Sequence, residues 1–141
     1  MRVYLIGSLR NPRVPEVSRE LRAAGIDVFA DWYAAGPNAD DCWRDYERSQ
    51  GYDFEEALRR PAAQNVFEFD KRHLLASDAV VLLCPAGKSG FLELGWSLGR
   101  GTPGYILLDN PERWDVMFQF ATGVFSSLND LCNELHWLKR E

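Results

Sequence analysis

The chain has 141 residues, 46% of them hydrophobic and 26% charged, with a formal net charge of −5. That length suits one domain around one core. The acidic balance disfavours a nucleic-acid polymer as partner, which usually needs a basic face, while a local patch for a small anion stays open. No apolar run approaches the roughly 20 residues of a membrane-spanning helix, so no membrane partner is expected.

The opening residues, MRVYLIGS, lack the long apolar segment of a secretory signal and read directly as a first strand, VYLIG at 3–7. A continuous apolar run that ends in glycine is the pattern of a central parallel strand. The loop SLRNPRVP follows. EVSRELRAA (16–24) places Val17, Leu21 and Ala24 on one helical face, with Gly25 beyond its end. IDVFADW, from Ile26, is a second strand. The turn-rich AGPNADD then introduces two polar helical pieces, CWRDYERSQG and DFEEALRRP, which form an insertion over about 34–60. The helix 62–76 carries Val66, Phe69, His73 and Leu74 along one side. AVVLLC, led in by Asp78, is the third strand. Residues 91–98 are helical, closed by Gly99 and Gly101, and GYILLD (104–109) is the fourth strand. A helix over 111–120, a short fifth strand at 123–126 and a final amphipathic helix over 128–139 complete the series, the last with Leu128, Leu131, Leu135 and Leu138 facing inward.

Strands alternating with helices define an α/β fold, and the whole of 1–141 is expected to form one doubly wound domain. Its five-stranded parallel sheet takes the flavodoxin-like order 2-1-3-4-5, with the helical insertion after strand 2. Cys42, Cys84 and Cys132 form no CxxC pair and are odd in number, which fits a reduced, cytoplasmic compartment. Cys84 at a strand end reads as a buried thiol rather than a nucleophile. His73 and His136 have no metal-ligand spacing, and no metal is expected.

The chemistry-bearing residues gather at strand ends. KSGFLELGWSLGRG (88–101) takes the third strand through a glycine-rich turn into a helix, with Glu93 expected in the first turn and Ser89 or Gly90 as the cap. A carboxylate there, beside free amides and a positive helix end, is expected to stay ionised. The same spacing also suits a Glu that only caps the helix. After the first strand, Gly7, Ser8, Leu9, Arg10 and Asn11 offer close backbone approach, a hydroxyl and a phosphate-matching guanidinium. A plain turn with its Arg toward solvent is the alternative. Asp70, within FEFDKRHL, shares a helical side with Val66, Phe69 and His73 and is expected toward the core. Strands one and three flank the switch point of this fold, so Ser8, Arg10 and Glu93 should converge on one crevice. Trp32, Tyr33 and Trp43 could stack a base or form the core of a lid.

In this order and spacing, Gly7-Ser8, Asp70, Asp78-Ala79-Val80-Val81 and Gly90-Phe91-Leu92-Glu93-Leu94-Gly95-Trp96-Ser97 resemble the nucleoside 2-deoxyribosyltransferase superfamily, which includes deoxynucleoside 5′-monophosphate N-glycosidases. The resemblance covers most of the chain outside about 34–60. It implies that Glu93 is the nucleophile, Asp70 the acid that helps the base depart, and Tyr4 the residue that orients the nucleophile. It implies that GSLR grips a 5′-phosphate, as the similar GSIR loop does in the glycosidases. Gly87 departs from the pattern, standing where the transferases place Asp and the glycosidases Ser, and Lys88 or Ser89 are the substitutes to hand. Thr122 is the candidate for a polar residue that a neighbouring subunit lends.

The implied reaction is cleavage of the N-glycosidic bond of a (deoxy)nucleoside or its 5′-monophosphate through a glycosyl-Glu93 intermediate, with transfer to another base or to water. It uses no metal or redox cofactor. Two other readings stay open: an α/β nucleotide-processing enzyme with Glu93 as a base, and a non-catalytic nucleotide sensor on the same scaffold. A homo-oligomer is expected, with a dimer as the default, because Trp114, Phe118, Phe120 and Phe125 are more apolar surface than one short helix and strand need bury.

Overall fold

A computed structural model describes residues 1–111 and 113–140. Its elements are β1 (Arg2–Ile6), α1 (Val14–Ala23), β2 (Asp27–Phe29), a 3-10 helix (Asp31–Ala35), α2 (Ala39–Ser49), α3 (Phe54–Leu58), α4 (Pro61–Leu75), β3 (Ala79–Leu83), α5 (Lys88–Gly99), β4 (Gly104–Leu107), a second 3-10 helix (Val116–Phe120), β5 (Gly123–Phe125) and α6 (Leu128–Arg140). All strand pairings are parallel and the order is β2-β1-β3-β4-β5, as the sequence predicts. Among the described residues no helix is long and apolar enough to cross a membrane.

The two-residue period of the strands sorts their side chains into two cores. Val3, Leu5, Val81, Leu83, Tyr105 and Leu107 lie on one face, closed by Val14, Val17 and Leu21 of α1 and Leu131 and Leu135 of α6. Tyr4, Ile6, Val80, Leu82 and Ile106 lie on the other, closed by Leu74 of α4 and Leu94 of α5. Every residue of β3 is buried, which is why that strand reads as an unbroken apolar run. This sorting decides the site. Tyr4 pairs in register with Val80, and its side chain is committed to the face that α4 and α5 cover.

Three expectations are corrected. First, α5 begins at Lys88 with Gly87 in extended backbone as its N-cap, so neither Ser89 nor Gly90 caps it and Glu93 falls in the second turn. Second, the side of α4 expected to face the core does so only toward its end: Leu74 is buried and His73 and Phe69 lie against Phe29, while Val66 is 64% exposed. Third, the helix expected over 111–120 is reduced to the 3-10 helix Val116–Phe120. Extended backbone at Asp115 delays its start, and the Asp115 carboxylate caps the short helix by accepting the Met117 N–H at 2.8 Å. Glu112 in that stretch lies outside the described residues.

The insertion is tied together by its own contacts. The buried Glu47 carboxylate accepts from Arg60 Nε at 2.6 Å, and the Arg60 guanidinium lies over the Tyr52 ring at 3.8 Å. Asp53 and Glu56 form a reciprocal capping box on α3, and Trp43 meets Phe54 edge-on.

Candidate active site

Tyr4, Asp70 and Glu93 come together where α4 and α5 close over β1. Glycine makes this approach possible. Gly90 is buried, and a Cβ there would stand 2.9 Å from Leu82 Cδ1 and 3.4 Å from Ile6 Cγ2. Without a side chain, α5 settles onto β1 and β3, and Glu93, one turn further along, is carried to Tyr4. On the other side, the His73 ring stacks on Phe29 at 3.9 Å and 8°, Phe69 meets His73 edge-on, and Phe29 lies 5.2 Å from Tyr4. That aromatic cluster seats the α4 turn that bears Asp70.

The electrostatics reverse an expectation. Glu93 is pushed up to about 7, chiefly by burial and secondarily by the charge of Asp70, and a hydrogen bond from the Tyr4 hydroxyl draws it partly back. Its Oε2 is buried with no partner. A carboxyl one turn deeper than expected has moved away from the free amides of the helix end, whose influence fades within the first turn, and the surrounding apolar atoms decide instead. Asp70 is also raised, by burial. Tyr4 is held far above its ordinary range by burial and by the two carboxyl groups, so it stays a neutral donor.

The β1–α1 loop follows the strand that carries Tyr4. Ser8 Oγ accepts the Arg10 N–H at 3.1 Å. Buried Asn11 accepts the Arg13 N–H at 3.0 Å and donates to the Pro85 carbonyl at 3.4 Å, which joins this loop to the β3–α5 connection. Gly7 packs against Val14 and the Trp32 ring, where a Cβ would stand 3.2 and 3.5 Å away, and Leu9 is half-buried. Trp32 donates from Nε1 to the Leu5 carbonyl at 2.8 Å, so its ring is fixed beside Gly7. Arg10 is exposed and bound to the insertion, its Nη2 3.3 Å from Asp41 Oδ2. Lys88 and Ser89 are exposed in the first turn of α5. Thr122 is not brought to Glu93. It precedes β5 at the opposite end of the sheet, accepts the Gly104 N–H at 3.0 Å, and opens on an apolar groove of about 740 Å³ between α5 and the second 3-10 helix. Among the described residues no group of three His, Cys, Asp or Glu side chains is placed to hold a metal ion. Asp41 had no signal in the sequence, since its partner lies 31 positions away.

Paired acidic groups where α4 and α5 close over β1 of a doubly wound α/β sheet make a site suited to acid–nucleophile chemistry. Solved structures share this fold over nearly the whole chain. A 2-deoxyribosyltransferase from the psychrotolerant bacterium Bacillus psychrosaccharolyticus is 20% identical, with a TM-score of 0.63 over 94% of this chain and 91% of that one. A conserved protein from Enterococcus faecalis V583 is 14% identical, with a TM-score of 0.65 over 97% and 98%. The CMP N-glycosidase BcmB from Clostridium botulinum is 14% identical, with a TM-score of 0.54 over 96% and 99%. No protein-family profile and no curated protein matches the chain.

Proposed function

We propose that this protein belongs to the nucleoside 2-deoxyribosyltransferase superfamily and cleaves the N-glycosidic bond of a (deoxy)nucleoside or its 5′-monophosphate. The observation that carries this reading is the cluster of half-buried Glu93 and Asp70 on buried Tyr4, in which Glu93 is pushed up to about 7 and Asp70 is raised as well. The fold shared with a 2-deoxyribosyltransferase and a CMP N-glycosidase supports it.

The two carboxyl groups share one proton, and substrate binding shifts it from Glu93 to Asp70, so that in the working state Glu93 carries the charge. A Glu93 oxygen bonds to the anomeric carbon as the carbon–nitrogen bond breaks through an oxocarbenium-like state, and Asp70 gives its proton to the departing base. A second base or water then attacks the same carbon, the ester to Glu93 breaks, and the acceptor's proton returns to Asp70. Deoxyribose has no 2-hydroxyl to withdraw electrons, so the cation forms more readily. Tyr4 steadies the Glu93 carboxylate by its hydrogen bond. The reaction runs on these side chains without a metal or redox cofactor.

A homo-oligomer, by default a dimer, fits the apolar surface on the α4–α5 side. Phe67, Leu92, Trp96 and Phe120 are exposed there, beside the groove on which Thr122 opens. A second copy of this chain is the occupant proposed for that face.

Incubation with purine and pyrimidine deoxynucleosides and their 5′-monophosphates, with and without an acceptor base, should release free base, and quenched reactions should carry a sugar on Glu93 by mass spectrometry. Binding without base release from every substrate would favour the other reading, a non-catalytic nucleotide sensor. The observation on that side is Gly87, an exposed glycine with no side chain to offer at the entrance of α5.

A further inference from the structure

Arg10 stands at the end of the β1 loop, where the sequence predicts a phosphate grip, but its guanidinium is already engaged. Nη2 donates to Asp41 Oδ2 at 3.3 Å and Nε to the Pro37 carbonyl at 3.4 Å. The other Asp41 oxygen faces Arg44 Nη1 at 3.4 Å. The Asp41 carboxylate therefore sits between two guanidinium groups, in the place an incoming anion would take. Both Asp41 oxygens face guanidinium groups, and two of the five N–H donors of Arg10 go to the insertion.

This loop leaves the carboxyl end of β1, beside the β3–α5 connection. Asn11 ties it to the Pro85 carbonyl ahead of α5, and Gly7 packs beside the Trp32 ring. A 5′-phosphate that reached Arg10 would either displace Asp41 or lie beside it. Two anions a few ångströms apart are well inside the screening length of about 8–10 Å, so their repulsion persists at ordinary salt. An uncharged 5′-hydroxyl meets no such opposition. We propose that Asp41 is a specificity-determining residue that turns the crevice toward nucleosides with a free 5′-hydroxyl and away from their 5′-monophosphates. The inference rests on the N-glycosidic reading and deepens it by selecting the substrate class.

The test compares kcat/KM for deoxyadenosine and deoxycytidine with that for their 5′-monophosphates. Wild type should favour the nucleosides. Asp41→Asn should raise the monophosphate-to-nucleoside ratio by about tenfold, equivalent to about 1.4 kcal/mol, and adding Arg10→Ala should cancel the rise. A wild type that prefers monophosphates, or a ratio unmoved by Asp41→Asn, overturns the proposal. Calorimetric binding of the two monophosphates supplies an arm that needs no turnover. Asp41→Asn should bind them more tightly than wild type by a similar factor, and equal affinity overturns the proposal. Tighter binding with no base released from any substrate supports the role of Asp41 and defeats the glycosidic reading.

Discussion

Gly90 of α5 and Leu82 of β3 lie so close that the smallest side chain at position 90 would stand 2.9 Å from the leucine methyl. That contact sets the distance between helix and sheet, and through it the distance between Glu93 and Tyr4. Gly90→Ala should lift α5 and destabilise the fold by about 1–3 kcal/mol, the usual effect of overpacking. Base release should fall further than stability does, because Glu93 moves with the helix. Thermal unfolding together with kcat, measured on the folded protein, checks this. Unchanged kcat with a lowered melting temperature would show that helix depth does not govern the reaction.

Glu93→Gln should separate function from stability. On the proposed mechanism base release drops by about 10³-fold or more. Stability should move the other way. The folded Glu93 holds its proton up to about pH 7, whereas an unfolded glutamate releases it near its model value of 4.5. The folded state therefore binds more protons between those values, and wild-type stability falls as pH rises from about 4.5 to about 7. Glu93→Gln escapes this loss, so it should exceed wild type by about 2–3 kcal/mol at pH 8 and match it near pH 4. Denaturant midpoints at both pH values decide the matter.

Asp70→Asn removes the proton donor while keeping the shape. Turnover should fall about 10²–10⁴-fold for bases that leave poorly and less for bases that leave easily. Equal losses for good and poor leaving groups would reduce Asp70 to a scaffold.

Tyr4→Phe keeps the ring against Phe29 and deletes the hydrogen bond that lowers the proton affinity of Glu93. The acidic limb of the pH–rate profile should shift to higher pH, with a smaller effect on the plateau. A limb that stays in place would mean the hydroxyl does not act on the nucleophile.

Leu92 is 73% exposed on the outer side of α5. If a second copy covers that face, light scattering should find a dimer at micromolar concentration and Leu92→Lys should give the monomer. A wild-type monomer with full activity would refute a shared site.

The sheet was legible because the parallel strands are buried on both faces, so β1, β3 and β4 stand out as apolar runs whatever surrounds them. Glu93, Asp70 and Tyr4 were each legible as candidates from motif order. Their ionisation was not. It depends on burial by side chains distant in sequence, and Glu93 was expected to stay ionised at a helix end that it does not touch. The partner of Arg10 was not legible either, since Asp41 lies far along the chain in the insertion. Val66 shows the limit of periodicity, which marks a helix's apolar side without saying whether the sheet or the exterior receives each residue.

The pairing of half-buried Glu93 with Asp70 also defines what kind of small molecule should block the site. Carboxyl groups that resist ionisation in the empty crevice ionise willingly once a positive charge enters it. A five-membered sugar mimic with a protonated ring nitrogen should therefore be captured with release of a proton, its affinity rising from pH 5 toward neutrality. The neutral oxygen-containing ring of the same shape should gain nothing over that range.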